Sequence, residues 1–295
     1  FRIMPRKNSN PVLALLLCAF LWSTGGLLIK LVSCNPFAIA GIRSLLGAIT
    51  ITLALKRLPV VFVRNSDGSI NRSDTVDRIL AGFFYSATMI LFVVATKMTT
   101  AANAILLQYT NPLYIIILGP FLLREKNDWI DYIAVIGVMC GMVLFLADGL
   151  SGGNLLGNII ALSSGVTFGL STIFMRRQKD GHPEDSFTLS HILTFIITFP
   201  FLFDGVNPGI KGSVGLLLLG VMQIGLPSIL YARGITRVTA ISAVLITMLE
   251  PLMNPLWVLL FYGEKPSVST LAGGLLILLI IFVRVVLKNA KGKSK

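Results

Sequence analysis

Residues 239–265 read "TAISAVLITMLEPLMNPLWVLLFYGEK", and residues 100–126 read "TAANAILLQYTNPLYIIILGPFLLREK". Laid together without a gap, they pair Thr239 with Thr100, Ala243 with Ala104, Pro251 with Pro112, Glu264 with Glu125 and Lys265 with Lys126. A shared preference for leucine cannot put a proline, a glutamate and a lysine in register, so the segments are copies of one unit. Each is apolar along most of its length yet holds proline in its interior. The later copy adds a carboxylate, Glu250, directly before that proline. What surrounds the segment decides what the carboxylate means.

Composition identifies the surroundings as lipid. Hydrophobic residues make up 55% of the 295-residue chain and charged residues only 13%. The mean hydropathy of +0.83 is higher than a water-facing surface permits. The apolar residues arrive in blocks of about 20, the length that crosses a hydrocarbon core at about 1.5 Å per residue. Ten blocks are expected as spans, at residues 11–32, 36–55, 77–98, 100–123, 128–147, 154–175, 186–203, 213–232, 239–262 and 267–287. Continuous apolarity favours helices over barrel strands, which alternate polar and apolar residues. The expected fold is all-α and polytopic.

Charge placement sets the orientation. The net charge is +12, but it does not point to nucleic acid, because the basic residues alternate by side. One face collects Arg57, Arg64, Arg78, Arg124, Arg176, Arg177, Arg233, Arg237, Arg284 and both termini, while the other holds Lys97, Lys211 and Lys265. The positive-inside rule therefore puts both termini in the cytoplasm, in a multi-pass plasma membrane protein of the bacterial inner-membrane type. Membrane lipid is its surrounding partner. Cys18, Cys34 and Cys140 have no metal or redox spacing, and no Walker, dinucleotide-binding or zinc-protease motif occurs. No cofactor, no metal and no enzymatic activity are expected.

The repeat extends beyond the opening pair. A weaker match sets Leu21-Trp22-Ser23 against Thr167-Phe168-Gly169, giving a unit of five helices. Five is odd, so the second unit, 151–295, enters the membrane from the side opposite to the first, 1–150, and the two are inverted. Here the chain resembles the EamA-type transporters of the drug/metabolite transporter superfamily. The resemblance rests on Trp22-Ser23, where the family usually shows Trp-Gly; on Arg43; on the spacing from Pro112 to Glu125; and on Leu249-Glu250-Pro251 with Gly263-Glu264. "LREK" stands where the family has Gly-Glu after the fourth helix, and Pro255 adds a second proline to the ninth. The resemblance covers nearly the whole chain and implies ten helices and transport of a small solute. Its members carry amino acids, vitamins, nucleotide derivatives, lipid precursors and toxic organics.

Glu250 falls near the bilayer midplane, where an ionisable side chain costs about 2.5–3.5 kcal/mol on insertion scales. That cost suits a carboxylate facing a wet cavity, binding a substrate cation or exchanging a proton. The alternative is a protonated acid bonded to a neighbouring helix. Pro251 removes an intrahelical hydrogen bond beside it, and Asn111-Pro112 holds the matching place in the first unit. Arg43 suits a substrate carboxylate or phosphate, or else snorkels toward headgroups. Trp22, Tyr85, Gln108, Tyr109, Tyr114, Phe168, Gln223 and Asn254 complete an expected aromatic cavity with few polar groups, and Asn103, Thr247 and His191 are weaker candidates. Lys30 reads as an interfacial anchor, and Gly137 and Gly273 as close helix contacts or a homodimer face. The sequence thus points to a secondary transporter of a small, amino acid-like or partly apolar metabolite, export somewhat favoured, with Glu250 as the proton-coupling group. An uncoupled facilitator of a vitamin or nucleobase-like solute and a non-transporting membrane receptor stay open.

Overall fold

The structure is a computed structural model that describes residues 10–30, 32–99, 101–147, 154–179, 181–203, 208–262 and 267–293. Among these residues helices account for all regular structure except one isolated antiparallel bridge, Arg64 with Ile70. Eight helical segments are long and apolar enough to cross a membrane, and two shorter apolar helices, Trp129–Phe145 and Ala240–Met253, fall on the remaining two expected spans. The all-α polytopic expectation holds.

Capping chemistry explains several boundaries. Asn10 accepts from Val12 N at 3.0 Å and Pro11 opens α1 (Pro11–Trp22), which is followed by α2 (Gly25–Lys30). Asn35 and Pro36 repeat the arrangement at α3 (Pro36–Leu55), where Lys56 in the left-handed region, at φ 52°, ends the helix. A proline at the first helical position forfeits only an N–H that has no intrahelical partner anyway. Asn71 caps α4 (Arg72–Met98), which starts five residues before the expected span because its first turn is polar and hydropathy does not register it.

The fourth and ninth spans are interrupted. The first runs as α5 (Ala101–Gln108) and α6 (Asn111–Leu122), with Tyr109 and Thr110 between. After α7 (Trp129–Phe145), α8 (Leu155–Arg177), α9 (Pro183–Thr198), α10 (Gly209–Leu218) and α11 (Leu226–Ile235), the ninth span runs as α12 (Ala240–Thr247) and α13 (Leu249–Tyr262), broken at Met248. The chain ends in α14 (Val268–Lys293). Pro112 and Pro251 cannot donate to the carbonyls four residues earlier, those of Gln108 and Thr247. Both helices stop at those residues.

The widest contacts pair α4 with α8, α7 with α14, and α9 with both α3 and α4. Without a hydrophobic driving force in lipid, close approach depends on small residues. Gly165 of α8 lies so near the first interruption that a Cβ there would stand 2.8 Å from the carbonyl oxygens of Leu107 and Gln108. Exposed residues such as Leu53, Phe83, Ile133 and Ile136 are apolar, as a lipid-facing surface requires.

Candidate functional site

A cavity opens between α1, α3, α4, α5, α8 and α13, with Gln223 and Ile224 at its wall. Three kinds of group line it. Trp22, Tyr85, Phe92 and Phe168 form an aromatic part, in which Trp22 meets Phe168 edge-on at 6.0 Å and Tyr85 lies 6.2 Å from Phe168. Arg43 and Gln223 form one polar part, and Glu250 and Gln108 another.

Arg43 is 1% exposed and poorly satisfied. Its Nη1 donates to Gln223 Oε1 at 3.5 Å and its Nη2 to Met89 Sδ at 3.6 Å, while Nε has no partner. Gln223 is aimed by a π-helix, Leu219–Gly225, and its Nε2 donates to the Trp22 carbonyl at 3.4 Å, where α1 ends. π-turns inside α-helices concentrate at functional sites. A Cβ at Gly25 would stand 2.7 Å from Gln223 Nε2, so any larger residue there would displace this amide.

Glu250 is half-buried at the cavity, and its Oε2 accepts the hydroxyl proton of Tyr109 in a short hydrogen bond. Thus a residue of the first interruption meets a residue just after the second. Neither Arg43 nor Glu250 has an ion-pair partner among the described residues. A cavity holding an unpaired guanidinium and an unpaired carboxylate, both with spare hydrogen-bonding capacity, can receive a small molecule with complementary groups.

Seven expected residues line the cavity: Trp22, Arg43, Tyr85, Gln108, Phe168, Gln223 and Glu250. Tyr109 reaches it through Glu250. Asn111 lies off the wall, fully buried, with both amide atoms unpartnered. Tyr114 faces α8, where a Cβ on Gly169 would stand 3.2 Å from its own. The side chains of Asn254 and Lys30 lie outside the described residues, as do Gly263, Glu264 and Lys265. Asn103 bonds Thr99 and Asn158, and Thr247 bonds carbonyls of its own helix. His191 is buried against Ser228, with Nε2 and Oγ 3.2 Å apart. Thr88, Met89, Phe92 and Ile224 line the cavity without having been singled out. Three of them were within reach of the sequence, because Tyr85, Thr88, Met89 and Phe92 follow the i, i+3, i+4, i+7 spacing of one helix face. No group of three or more His, Cys, Asp or Glu side chains suited to a metal occurs among the described residues.

Residues 9–147 and 155–286 each match the EamA-like transporter family. An uncharacterized transporter of Clostridium kluyveri is 23% identical over 279 residues, 88% of each chain. The uncharacterized transporter YwfM of Bacillus subtilis is 27% identical over 287 residues, 94% of each chain. The pseudopaline exporter CntI of Pseudomonas aeruginosa is 23% identical over 272 residues, 90% of this chain and 92% of that one. A solved crystal structure superposes with a TM-score of 0.77 over 94% of this chain and 96% of its own, at 20% identity, a likeness of fold alone.

Proposed function

We propose, for a chain that belongs to the EamA-like transporter family, a specific form of the small-molecule transport across membranes that the family carries out. The substrate is a small organic metabolite with an acidic group, a basic group and a partly apolar body, of which an amino acid is the simplest example. Its acidic group binds Arg43 and Gln223, its basic group faces Glu250, and the aromatic residues hold its body. The observation that carries this reading is the unpaired Arg43 and the unpaired Glu250 on one cavity. A neutral solute would leave a nearly buried guanidinium without compensation.

Transport proceeds by alternating access to the cavity, to which the inverted repeats 1–150 and 151–295 both contribute helices. Glu250 is the group through which a proton is exchanged for substrate, in the direction of export. The exporter among the relatives supports that direction.

The test is transport in proteoliposomes under an imposed pH gradient. Glu250→Gln is expected to lower gradient-driven transport about a hundredfold, the scale of a lost charge-assisted contact. Full activity with unchanged pH dependence would remove Glu250 from the mechanism. Arg43→Lys keeps the charge but loses the planar fork, so it should weaken substrates bearing a carboxylate while leaving their amides unaffected. Labelled substrate that binds but shows no counterflow would make the protein a receptor. Uptake that survives collapse of the gradient would make it a facilitator.

A further inference from the structure

Seven of the described ion-pair contacts join residues far apart in the chain, and all lie in the basic loops or toward the helix ends that adjoin them. Most sit on helix pairs that are already packed widely. Asp77 with Arg177 ends the α4–α8 contact, Asp185 with Arg57 and Arg78 ties α9 to α3 and α4, and Asp131 with Arg284 and Lys288 closes the α7–α14 contact.

Glu125 differs from these. Its Oε1 accepts Arg176 Nε at 2.6 Å, and its Oε2 accepts the Ala240 N–H at 3.1 Å. Arg176 Nη1 donates in turn to the carbonyls of Ile235 and Thr236, each at 2.9 Å. One carboxylate and one guanidinium thereby tie the ends of α6, α8, α11 and α12. Among these, α12 meets α8 and α11 over few residues, so the node adds polar ties where the packing between them is narrow. Arg124, at φ 55°, is left-handed immediately before Glu125, a conformation that non-glycine residues adopt at a cost and that is concentrated at functional sites. The other side of α12 is anchored by Ser242, which accepts from Arg284 Nη2 at 3.1 Å. Arg176 lies eight residues beyond the cavity residue Phe168, roughly 12 Å along α8, and Ala240 lies ten residues before Glu250, across the break at Met248.

We propose that the Glu125–Arg176 node is a latch that closes the basic-loop side of the cavity and opens once in each transport cycle, while the α4–α8 and α7–α14 contacts stay shut. When it opens, the inner ends of α8 and α12 part and the cavity faces the basic loops. The cycle itself rests on the transport reading, but access to the cavity is measurable without transport.

The experiment places a single cysteine at Phe92 (Phe92→Cys) with Cys18, Cys34 and Cys140 replaced by alanine. A membrane-impermeant maleimide is then applied from one face or the other in oriented vesicles. With the latch intact, labelling from the basic-loop face is slow. Glu125→Gln is expected to speed it by roughly tenfold or more, the population change that follows loss of a charge-assisted hydrogen bond. Arg176→Lys should give an intermediate rate, since it keeps the charge and loses the fork. Asp77→Asn should lower the melting temperature and leave labelling unchanged. Equal labelling in Glu125→Gln and the parent overturns the latch, as does equal acceleration by Asp77→Asn. If Glu125→Gln does not fold, Arg176→Lys carries the same comparison. Lost transport in Glu250→Gln with the labelling pattern intact bears on the transport reading and not on the latch.

Discussion

The two interrupted helices share one register and hold different chemistry. In the gap-free pairing Gln108 stands opposite Thr247, Tyr109 opposite Met248, and Asn111 opposite Glu250. Both copies break at the same place, because a proline four residues on withholds the N–H that the carbonyls of Gln108 and Thr247 would need. At the first break the polar residue before the proline, Asn111, is sealed away without a partner. At the second it is an acid on the cavity that accepts a proton donor from the first break. The break is thus a property of the shared backbone plan, and the titratable group belongs to one copy only.

The largest expected effect separates Glu250 from Asn111. Glu250→Ala should reduce substrate counterflow about a hundredfold or more in a protein that still folds. Asn111→Ala removes two unsatisfied buried atoms, so the desolvation relieved offsets the small void left behind. Its unfolding free energy should change by no more than about 1 kcal/mol, with counterflow retained. Transport lost equally in both would mean that the first break also touches substrate, and the contrast would fail. Next in size is Tyr109→Phe, which strips the donor from Glu250 and should slow counterflow about tenfold. Its partner in the pairing, Met248→Leu, is a volume-conserving change at a buried position and should cost less than about 1.5 kcal/mol of stability, with transport unaffected. A third change acts on the backbone plan itself. Gly165→Ala would push a methyl group against the carbonyls of Leu107 and Gln108, destabilising the fold by about 1–3 kcal/mol and distorting the Gln108 wall.

The spans were legible because lipid demands continuous apolarity, which is a property of single residues in a row. The span expected at 36–55 coincides with α3 because Asn35-Pro36 announces its start. The breaks were half-legible. Pro112 and Pro251 give their position, but no residue type says which side chain the break turns toward the cavity and which it buries. Glu250 and Asn111 both looked suitable. The π-helix around Gln223 was not legible, since "LGVMQIG" at 219–225 reads as ordinary helix and the cause lies partly outside it, in Pro227, which cannot donate to the Gln223 carbonyl. Met89 and Phe92 were legible only by their i+4 and i+7 spacing from Tyr85 and not by their own chemistry. Apolar residues in an apolar span say nothing about whether they face lipid or cavity until the packing of α4 against α8 fixes the rotation of the helix.

The smallest effect is also the most specific to the pairing, because it compares Gln108 and Thr247, the last helical residues before the two breaks. Gln108 lines the cavity, whereas the Thr247 hydroxyl is spent on the carbonyls of Ala243 and Val244 at 3.2 and 3.0 Å. Thr247→Val keeps the shape and frees two carbonyls that already serve the helix, so half-maximal transport should occur at nearly the parental substrate concentration. Gln108→Leu keeps the bulk and removes a neutral hydrogen-bonding group from the wall. The substrate concentration for half-maximal transport should rise about fivefold, near 1 kcal/mol, with little change in the maximal rate. A fall in the maximal rate instead would assign Gln108 to the moving break. Equal sensitivity at Thr247 would mean that both breaks face substrate during the cycle, at which point the asymmetry would belong to this one conformation and not to the mechanism.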